Sequence, residues 1–244
     1  MTLTLATDDT GGPEIFASVQ GEGPSAGTPV AFLRLSRCNL ACVWCDTAYT
    51  WHFEGDDRPH RSGHTFARQA NQVKLPVAAV AERIAALGQD RLVITGGEPL
   101  LQAKALADML DLLPGIAVEV ETNGTTKAPP WLDSYINQFN VSPKLAHSGN
   151  PAELALLPER LDAYAGDERA WFKFVIAAPD DLGEVLALQQ EHAIPAHRIF
   201  LMPEGTDSET IRERCEWLVP LCLKHGFRLS DRLHIHLFGD TRGT

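Results

Sequence analysis

Short apolar runs alternate along this chain with longer stretches in which apolar residues recur at helical spacing. The run from Arg91 to Thr95 predicts a buried strand, and the apolar residues spaced from Leu106 to Leu113 predict the helix that follows it. Similar runs predict six further strands, at Pro29 to Leu35, Ile116 to Glu121, Phe139 to Ser142, Trp171 to Ile176, Ile199 to Met202 and Leu233 to Leu237. Strand and helix signals thus alternate over most of the chain.

Two longer helices are predicted in the second half of the chain, near 180–192 and over 207–225, the second opened by a capping box from Thr206 to Glu209. Because strands alternate with helices, the strands should pair in parallel through right-handed crossover helices. About six parallel strands are fewer than the eight of a closed barrel, so we predict an α/β fold with a partial, open TIM-like barrel. The length of 244 residues, 44% of them hydrophobic, favours a single domain over residues 1–244.

Polar or glycine-rich turns follow five of the predicted strands. They are Cys38 to Thr47, Thr95 to Pro99, Glu121 to Gly124, Ser142 to Lys144 and Met202 to Gly205. Each turn alone is explained by the preference of Gly, Pro and Asn for chain reversals. Because ligands bind at the carboxyl ends of parallel strands, their shared placement predicts one binding site at that end of the sheet.

Charge and composition exclude several classes of partner. The formal net charge of -11 argues against nucleic acid, because binding to phosphates depends on clustered Lys and Arg. No apolar run is long enough to span a bilayer, and the amino terminus carries acidic residues where a signal peptide would be basic. We therefore expect a cytoplasmic protein with a small-molecule partner and no membrane contact. The polar stretch 53–68 is a possible mobile insertion in this domain.

Three closely spaced cysteines, Cys38, Cys42 and Cys45, carry the strongest chemical signal in the chain. Iron-sulfur clusters normally have four cysteine ligands, and no fourth cysteine lies nearby. Such a loop could hold three irons of a cube and leave one iron free to bind a small molecule. A zinc site is the alternative, and it needs a fourth ligand. The nearby candidates for that ligand are His52, His60 and His64.

The cysteine spacing, the aromatic Trp44 within it and the Gly-Gly-Glu-Pro turn at 96–99 resemble the radical S-adenosylmethionine (SAM) superfamily. In that superfamily the open iron binds the amino and carboxylate groups of SAM, and reductive cleavage yields a 5'-deoxyadenosyl radical. The resemblance implies a 4Fe-4S cluster on three cysteines, SAM as cofactor, and an electron donor such as flavodoxin or ferredoxin. The cofactors would carry out the difficult chemistry while the protein binds and orients.

The flanking sequences narrow the resemblance. Residues 14–23 (Glu-Ile-Phe-Ala-Ser-Val-Gln-Gly-Glu-Gly), the Cys45-Asp46-Thr47 sequence and residues 233–244 are similar to the 7-carboxy-7-deazaguanine synthase family. That family converts 6-carboxy-5,6,7,8-tetrahydropterin to 7-carboxy-7-deazaguanine with loss of ammonia, on the route to queuosine. The resemblance therefore implies a carbon-nitrogen lyase that depends on magnesium and forms a homodimer.

The same resemblance implies roles for individual residues. Thr47 would bind magnesium through its hydroxyl, a hard oxygen ligand suited to that ion. The substrate would contact Val19, Gln20, Gly21, Arg34, Thr95 and the terminal carboxylate of Thr244. Gln20 can donate and accept hydrogen bonds at a pterin edge, and Arg34 can pair with a carboxylate through two parallel bonds. For Arg34 the alternative is a surface ion pair.

SAM would be bound by residues at several strand ends. They are Trp44, Cys45, Asp46, Gly97, Ser142, Pro143, Lys144, Met202 and Glu204. Gly97 would leave room for the methionine moiety, and Glu98 could orient the turn.

Two pairs of residues outside these motifs have simpler explanations. Cys215 and Cys222 follow an apolar helical stripe and should be buried filler. His234 and His236 would share one face of the predicted last strand, either toward the substrate or as structural histidines.

Two other functions fit parts of the sequence. A glycyl-radical enzyme activase has similar length and the same cysteine spacing, but its substrate would be a large protein. A noncatalytic iron-sulfur or zinc-binding protein would also use the cysteines. The Gln20-Gly21 segment and the Asp46-Thr47 pair favour the small-molecule lyase.

Overall fold

The computed structural model describes residues 1–244, which form ten strands, nine helices and short 3₁₀ turns. The strands are β1 (Thr2–Ala6), β2 (Ile15–Val19), β3 (Pro29–Leu35), β4 (Gln72–Pro76), β5 (Arg91–Gly96), β6 (Ala117–Thr122), β7 (Ile136–Val141), β8 (Ala170–Ile176), β9 (Ile199–Pro203) and β10 (Arg228–Leu229). The helices are α1 (Arg68–Asn71), α2 (Val77–Ala86), α3 (Ala103–Leu110), α4 (Pro130–Asp133), α5 (Ala152–Ala155), α6 (Pro158–Ala165), α7 (Leu182–Glu191), α8 (Ser208–His225) and α9 (Leu233–Phe238).

All ten strands belong to one open sheet. Its order is β10-β9-β8-β7-β6-β5-β3-β1-β4, with β2 paired to β3 outside this path. β3 and β5 to β9 form six parallel strands, extended by the two-residue β10. β1, β2 and β4 join by antiparallel pairing. The predicted α/β fold with about six parallel strands in an unclosed barrel is therefore confirmed.

The parallel strands separate an apolar face from a polar face. Successive residues of a strand point to opposite sides, so β6 places Val118 and Val120 in the core and its two glutamates on the other face. β8 likewise buries Phe172 and Phe174 in the core with Lys173 between them on the opposite face. The helices cover the apolar face, and the polar face surrounds the site described below.

Two sequence expectations are wrong in this fold. Leu233 to Leu237 was expected to be a strand, but these residues lie in α9, with only Ile235 buried. The backbone N–H of Leu233 donates to the Gly21 carbonyl oxygen and that of Ile235 to the Arg232 carbonyl oxygen, both over 2.9 Å, so neither N–H pairs with a strand of the sheet. Helix α8 begins one residue later than expected, and the Asp207 side chain accepts from the Thr210 N–H in place of the expected capping box.

Cys215 and Cys222 were both expected to be buried in a helix. In α8 the Cys222 side chain is buried, whereas Cys215 is only partly so. No helix of the protein has the length and apolar character required to cross a membrane.

Candidate active site

A cavity of about 390 Å³ opens at the carboxyl ends of the parallel strands. Sixteen of the predicted site residues line it, namely Val19, Gln20, Gly21, Arg34, Cys38, Cys42, Trp44, Cys45, Asp46, Thr47, Thr95, Gly97, Ser142, Lys144, Met202 and Thr244. Two others, Pro143 and Glu204, do not line it. Residues as distant in sequence as Val19 and Thr244 thus meet in one place.

The three clustered cysteines lie in the loop that follows β3. Hydrogen bonds to residues before α5 hold this loop, because the Ala41 N–H donates to Asn150 Oδ1 over 2.8 Å and the Val43 N–H to the Ser148 carbonyl over 2.9 Å. Asn150 Nδ2 also lies 3.3 Å from Cys42 Sγ. The loop is therefore fixed by uncharged groups, one of which contacts a thiol directly.

The thiols themselves are free and neutral in this environment. Burial raises the pKa of Cys38 to about 12 and that of Cys45 to about 11, and it also raises the pKa of Cys42. Three thiols on one cavity wall with an amide donor to sulfur fit a cluster with three protein ligands. No group of three or more His, Cys, Asp or Glu side chains is arranged to hold a single metal ion, so the geometry gives no support to zinc.

The Gly96-Gly97 turn lies against the cysteine loop. A Cβ atom on Gly97 would lie 2.0 Å from the Arg37 carbonyl oxygen, and Gly96 has φ +131°, a conformation that L side chains rarely adopt. The need for glycine at 97 therefore comes from the close approach of the cysteine loop, and clearance for a methionine moiety is not required to explain it.

Glu98 connects the turns that follow β5 and β6. Its buried carboxylate accepts from the Asn123 N–H over 2.8 Å and from the Thr122 hydroxyl over 3.0 Å. It also caps the following 3₁₀ turn through the Leu100 N–H. Burial raises the pKa of Glu98 to about 7. This carboxylate does not line the cavity, so its observed role is to join two turns.

Hydrogen bonds connect the polar faces of β5 and β6 to the Gln20 segment. Gln20 Nε2 donates to Glu119 over 2.9 Å and to Glu121 over 3.2 Å. The Thr95 hydroxyl donates to Glu121 over 2.7 Å. Glu121 lines the cavity. The sequence placed it in a predicted strand-end turn but gave it no individual role, although its alternation with Glu119 along a strand was a usable signal.

Arg34 is held by a buried ion pair. Its Nε donates to Glu14 Oε1 over 2.7 Å, and the Tyr49 hydroxyl donates to the other oxygen of Glu14 over 2.9 Å. Burial opposes the positive charge, but Glu14 outweighs it and raises the pKa of Arg34. The terminal nitrogens of the guanidinium make no hydrogen bond within the protein, and Arg34 lines the cavity. The ion pair with Glu14 thus leaves both terminal NH₂ groups of Arg34 free to donate to a ligand.

A second charged network was not predicted. Glu22 binds Lys173 of β8 and accepts from Arg232 Nε over 2.9 Å, and Arg232 also bonds to Asp46 and to the Gly205 carbonyl. Burial would raise the pKa of Glu22, but Lys173 and Arg232 outweigh it and hold the pKa well below its usual range. A single lysine within an apolar strand was the one sequence signal for this network.

Three of the predicted SAM-binding residues, Trp44, Ser142 and Lys144, lie close together. Lys144 Nζ donates to the Ser142 hydroxyl over 2.8 Å and lies 5.8 Å from the centre of the Trp44 ring. Trp44 stacks on His147, and its indole N–H is buried without an acceptor. A buried donor without a partner at the cavity wall fits a site that a polar ligand completes.

The predicted magnesium residue lies at the end of the cysteine loop. The Thr47 hydroxyl is 3.6 Å from Cys45 Sγ and lines the cavity. Its role toward magnesium stays a prediction.

Segment 53–68 packs against the cysteine loop and the chain after β9. Phe53 and Phe66 form an isolated β-bridge. His60 Nε2 lies 2.8 Å from the Cys45 carbonyl oxygen. Arg61 pairs with Glu204, which also binds Arg214, so the Glu204 carboxylate already has two cationic partners outside the cavity.

Helix α9 separates the two histidines that a strand would have placed together. His234 lines the cavity, lies against Gly21 and is 3.9 Å from Glu22. His236 lies outside the cavity, where its Nδ1 is 2.8 Å from the Ser208 hydroxyl and its Nε2 3.1 Å from Asp231. Only His234 can therefore contact a ligand there.

Comparison with known proteins relates the whole chain to other sequences and structures. The family model described as Radical SAM superfamily matches residues 33–214. The 7-carboxy-7-deazaguanine synthase of Pyrobaculum aerophilum is 36% identical over 94% of this chain and 95% of that protein. The enzyme of the same name from Hyperthermus butylicus is 36% identical over 91% of this chain and 90% of that protein.

Among solved structures, QueE from Escherichia coli superposes with a TM-score of 0.65. The alignment covers 95% of both chains at 24% sequence identity, which shows a shared fold.

Proposed function

The chain belongs to the radical SAM superfamily and to the 7-carboxy-7-deazaguanine synthases within it, and we propose on this basis that it converts 6-carboxy-5,6,7,8-tetrahydropterin to 7-carboxy-7-deazaguanine with release of ammonia. The product serves queuosine biosynthesis. The observation that carries the proposal is that the cysteine loop shares one cavity with Gln20, Glu121 and the free guanidinium edge of Arg34. Such a cavity offers metal ligands and a polar pterin site together.

Cys38, Cys42 and Cys45 would hold the 4Fe-4S cluster. When bound, the cluster and SAM supply the radical for hydrogen abstraction. The Asn150 amide would donate to the Cys42 sulfur, as hydrogen bonds to cluster sulfurs do when they tune potential. Trp44, Ser142 and Lys144 would bind SAM beside it, together with Asp46, Gly97 and Met202, which also line the cavity.

Gln20 and Arg34 would orient the pterin. Gln20 presents an amide whose N–H₂ is committed to glutamates, so the β6 carboxylates fix its orientation before substrate arrives. The two unbonded terminal nitrogens of Arg34 match the spacing of a carboxylate. Val19, Gly21, Thr95 and Thr244 would complete this wall, and the Gly21 backbone can approach a ligand closely.

The proposal also includes a magnesium ligand, an electron donor and a homodimer. Thr47 would bind magnesium through its hydroxyl, with water and substrate oxygens as the other ligands. The electron donor would be flavodoxin or ferredoxin, and the protein would act as a cytoplasmic homodimer. Pro143 and Glu204 would contribute to the SAM site only indirectly, since neither lines the cavity.

The decisive test is turnover by the anaerobically reconstituted protein. With reductant, magnesium, SAM and 6-carboxy-5,6,7,8-tetrahydropterin, we expect 7-carboxy-7-deazaguanine and ammonia in equal amounts. Omission of SAM should abolish both products. Absence of the deazaguanine from a preparation with a full iron complement contradicts the proposal, and a stable complex with a large glycyl-radical enzyme would favour the activase instead.

A further inference from the structure

The C-terminal segment, residues 239–244, folds back over the cavity. Five of its six residues line the cavity wall, and only Gly243 does not. Its own hydrogen bonds are local, such as that from the Thr244 hydroxyl to the Thr241 carbonyl over 2.9 Å. A short polar segment of this kind should fray unless another interaction holds it.

A single side chain makes the hydrogen bonds that join this segment to the body of the protein beyond α9. Arg242 Nη1 donates to Asn71 Oδ1 over 3.0 Å, and Arg242 Nε lies 3.5 Å from the Asp9 carboxylate. The guanidinium carbon is 3.6 Å from the centre of the Tyr49 ring. A cation stacked on a buried aromatic ring gains more than an exposed one, so Arg242 is well suited to anchor the segment.

Tyr49, on which Arg242 stacks, also connects to the cavity through Glu14. Tyr49 is 5% exposed, and its hydroxyl donates to Glu14 Oε2 over 2.9 Å. The second oxygen of Glu14 accepts from Arg34 Nε over 2.7 Å. Arg242, Tyr49, Glu14 and Arg34 therefore form a continuous series of contacts from the C-terminal segment to the guanidinium edge in the cavity.

We propose that Arg242 is a positioning residue that holds the C-terminal segment over the cavity and, through Tyr49 and Glu14, fixes Arg34 for a carboxylate ligand. Arg242 does not need to contact the substrate for this role. The part that concerns Arg34 rests on the proposed function, because it requires a substrate that carries a carboxylate. The anchoring part is independent of any reaction.

Anchoring is tested by the rate at which carboxypeptidase Y releases residues from protein comprising residues 1–244, followed by intact mass. Arg242→Ala should release them at least about fivefold faster than wild type. Arg242→Lys should resemble Ala, since an ammonium lacks the planar stack. Arg228→Ala is the matched control, because Arg228 stacks on Phe200 at 4.8 Å outside the cavity. Equal release from Arg242→Ala and wild type overturns the proposal.

Positioning of Arg34 is tested by steady-state kinetics. Arg242→Ala should raise the KM for the carboxypterin about tenfold and change kcat much less, as expected when binding is lost before the chemical step. Tyr49→Phe keeps the ring under Arg242 but removes the bond to Glu14. It should therefore raise KM while carboxypeptidase release stays at the wild-type rate.

The two parts fail in distinguishable ways. Wild-type protein without turnover contradicts the proposed function, and the release rates then test the anchor alone. Faster release from Arg242→Ala with an unchanged KM overturns the positioning of Arg34. Raised KM in Arg228→Ala would also contradict the proposal, because loss of any stacked arginine would then have the same effect.

Discussion

The two sides of the cavity are held together by different kinds of interaction. On the cluster side, defined here as residues 38–45 with Asn150, the loop is fixed by neutral hydrogen bonds and the thiols stay protonated because burial raises their pKa. On the charged side, defined as Glu14, Glu22, Arg34, Lys173 and Arg232, every carboxylate binds at least one cation.

This difference means that the charged side is paired without a ligand, whereas the cluster side requires a cofactor. The charged side has three cations against its own two carboxylates, and Asp46, which binds Arg232, supplies the third negative charge. With Asp46 the charges balance without a ligand, so this side can keep its geometry before substrate binds. The cluster side presents neutral thiols, which become thiolates only when iron replaces their protons. Under the proposed function, the charged side would orient the substrate in its present geometry, and the cluster side would be completed by the metal.

The largest expected effect comes from breaking the cluster side. Cys42→Ala removes one of three thiols and leaves Asn150 without its sulfur contact, so we expect loss of bound iron and of all turnover. Iron analysis and the absorption spectrum of reconstituted protein measure this. Cys215→Ala, on α8 and outside the cavity, is the matched control and should keep both. Full iron content in Cys42→Ala would show that the cluster side is not the metal site.

The next largest effect should come from breaking the charged side. Arg232→Ala leaves Asp46 without its cation and Glu22 with Lys173 as its remaining partner, so the free energy of unfolding should fall by up to about 3 kcal/mol. Denaturant titration measures it. Lys104→Ala, which removes an exposed pair with Asp108, should cost only about 0.2–0.5 kcal/mol. Equal losses in the two variants would mean that the charged side does not stabilise the fold.

The contribution of Glu22 to stability should also depend on pH. The pKa of Glu22 is below its usual value in the folded state, so its contribution is present above about pH 4.3 and is lost as pH falls toward the folded pKa. The gap in unfolding free energy between wild type and Glu22→Gln should therefore be constant near neutrality. It should then shrink by up to about 1.4 kcal/mol per pH unit in acid. Glu153→Gln on exposed α5 is the control, and a gap for Glu22→Gln that stays constant into acid contradicts the assignment.

The sequence predicted the two sides to different extents. The cluster side could be found because its ligands are adjacent in the chain, and β3 was located at Pro29–Leu35 from its apolar run. The charged side joins residues that are far apart, such as Glu22 and Lys173 at a separation of 151 positions, so no local pattern marks the pair. Its geometry follows from strand order, which periodicity alone does not give.

The segments that frame the site were the hardest to predict. β1, β2 and β4 were missed because they pair antiparallel and lie outside the alternation of strands and helices. Leu233 to Leu237 alternates like a strand, yet it forms α9, and the Leu233 N–H donates to the Gly21 carbonyl oxygen outside the sheet. This error concealed the difference between His234 in the cavity and His236 outside it.

The smallest expected effect lies where the two sides meet. Asp46 binds Arg232 on the charged side, and Thr47 is the next residue in the chain. The Thr47 hydroxyl lies 3.6 Å from Cys45 Sγ on the cluster side. If this hydroxyl binds magnesium, Thr47→Ala should raise the magnesium concentration for half-maximal turnover by roughly three- to tenfold, the loss of one oxygen ligand, and keep the iron content. Thr47→Ser retains the hydroxyl and should keep the wild-type response. A variant series in which Ser and Ala behave alike would assign magnesium to substrate oxygens and water, and Thr47 would then only join the two sides.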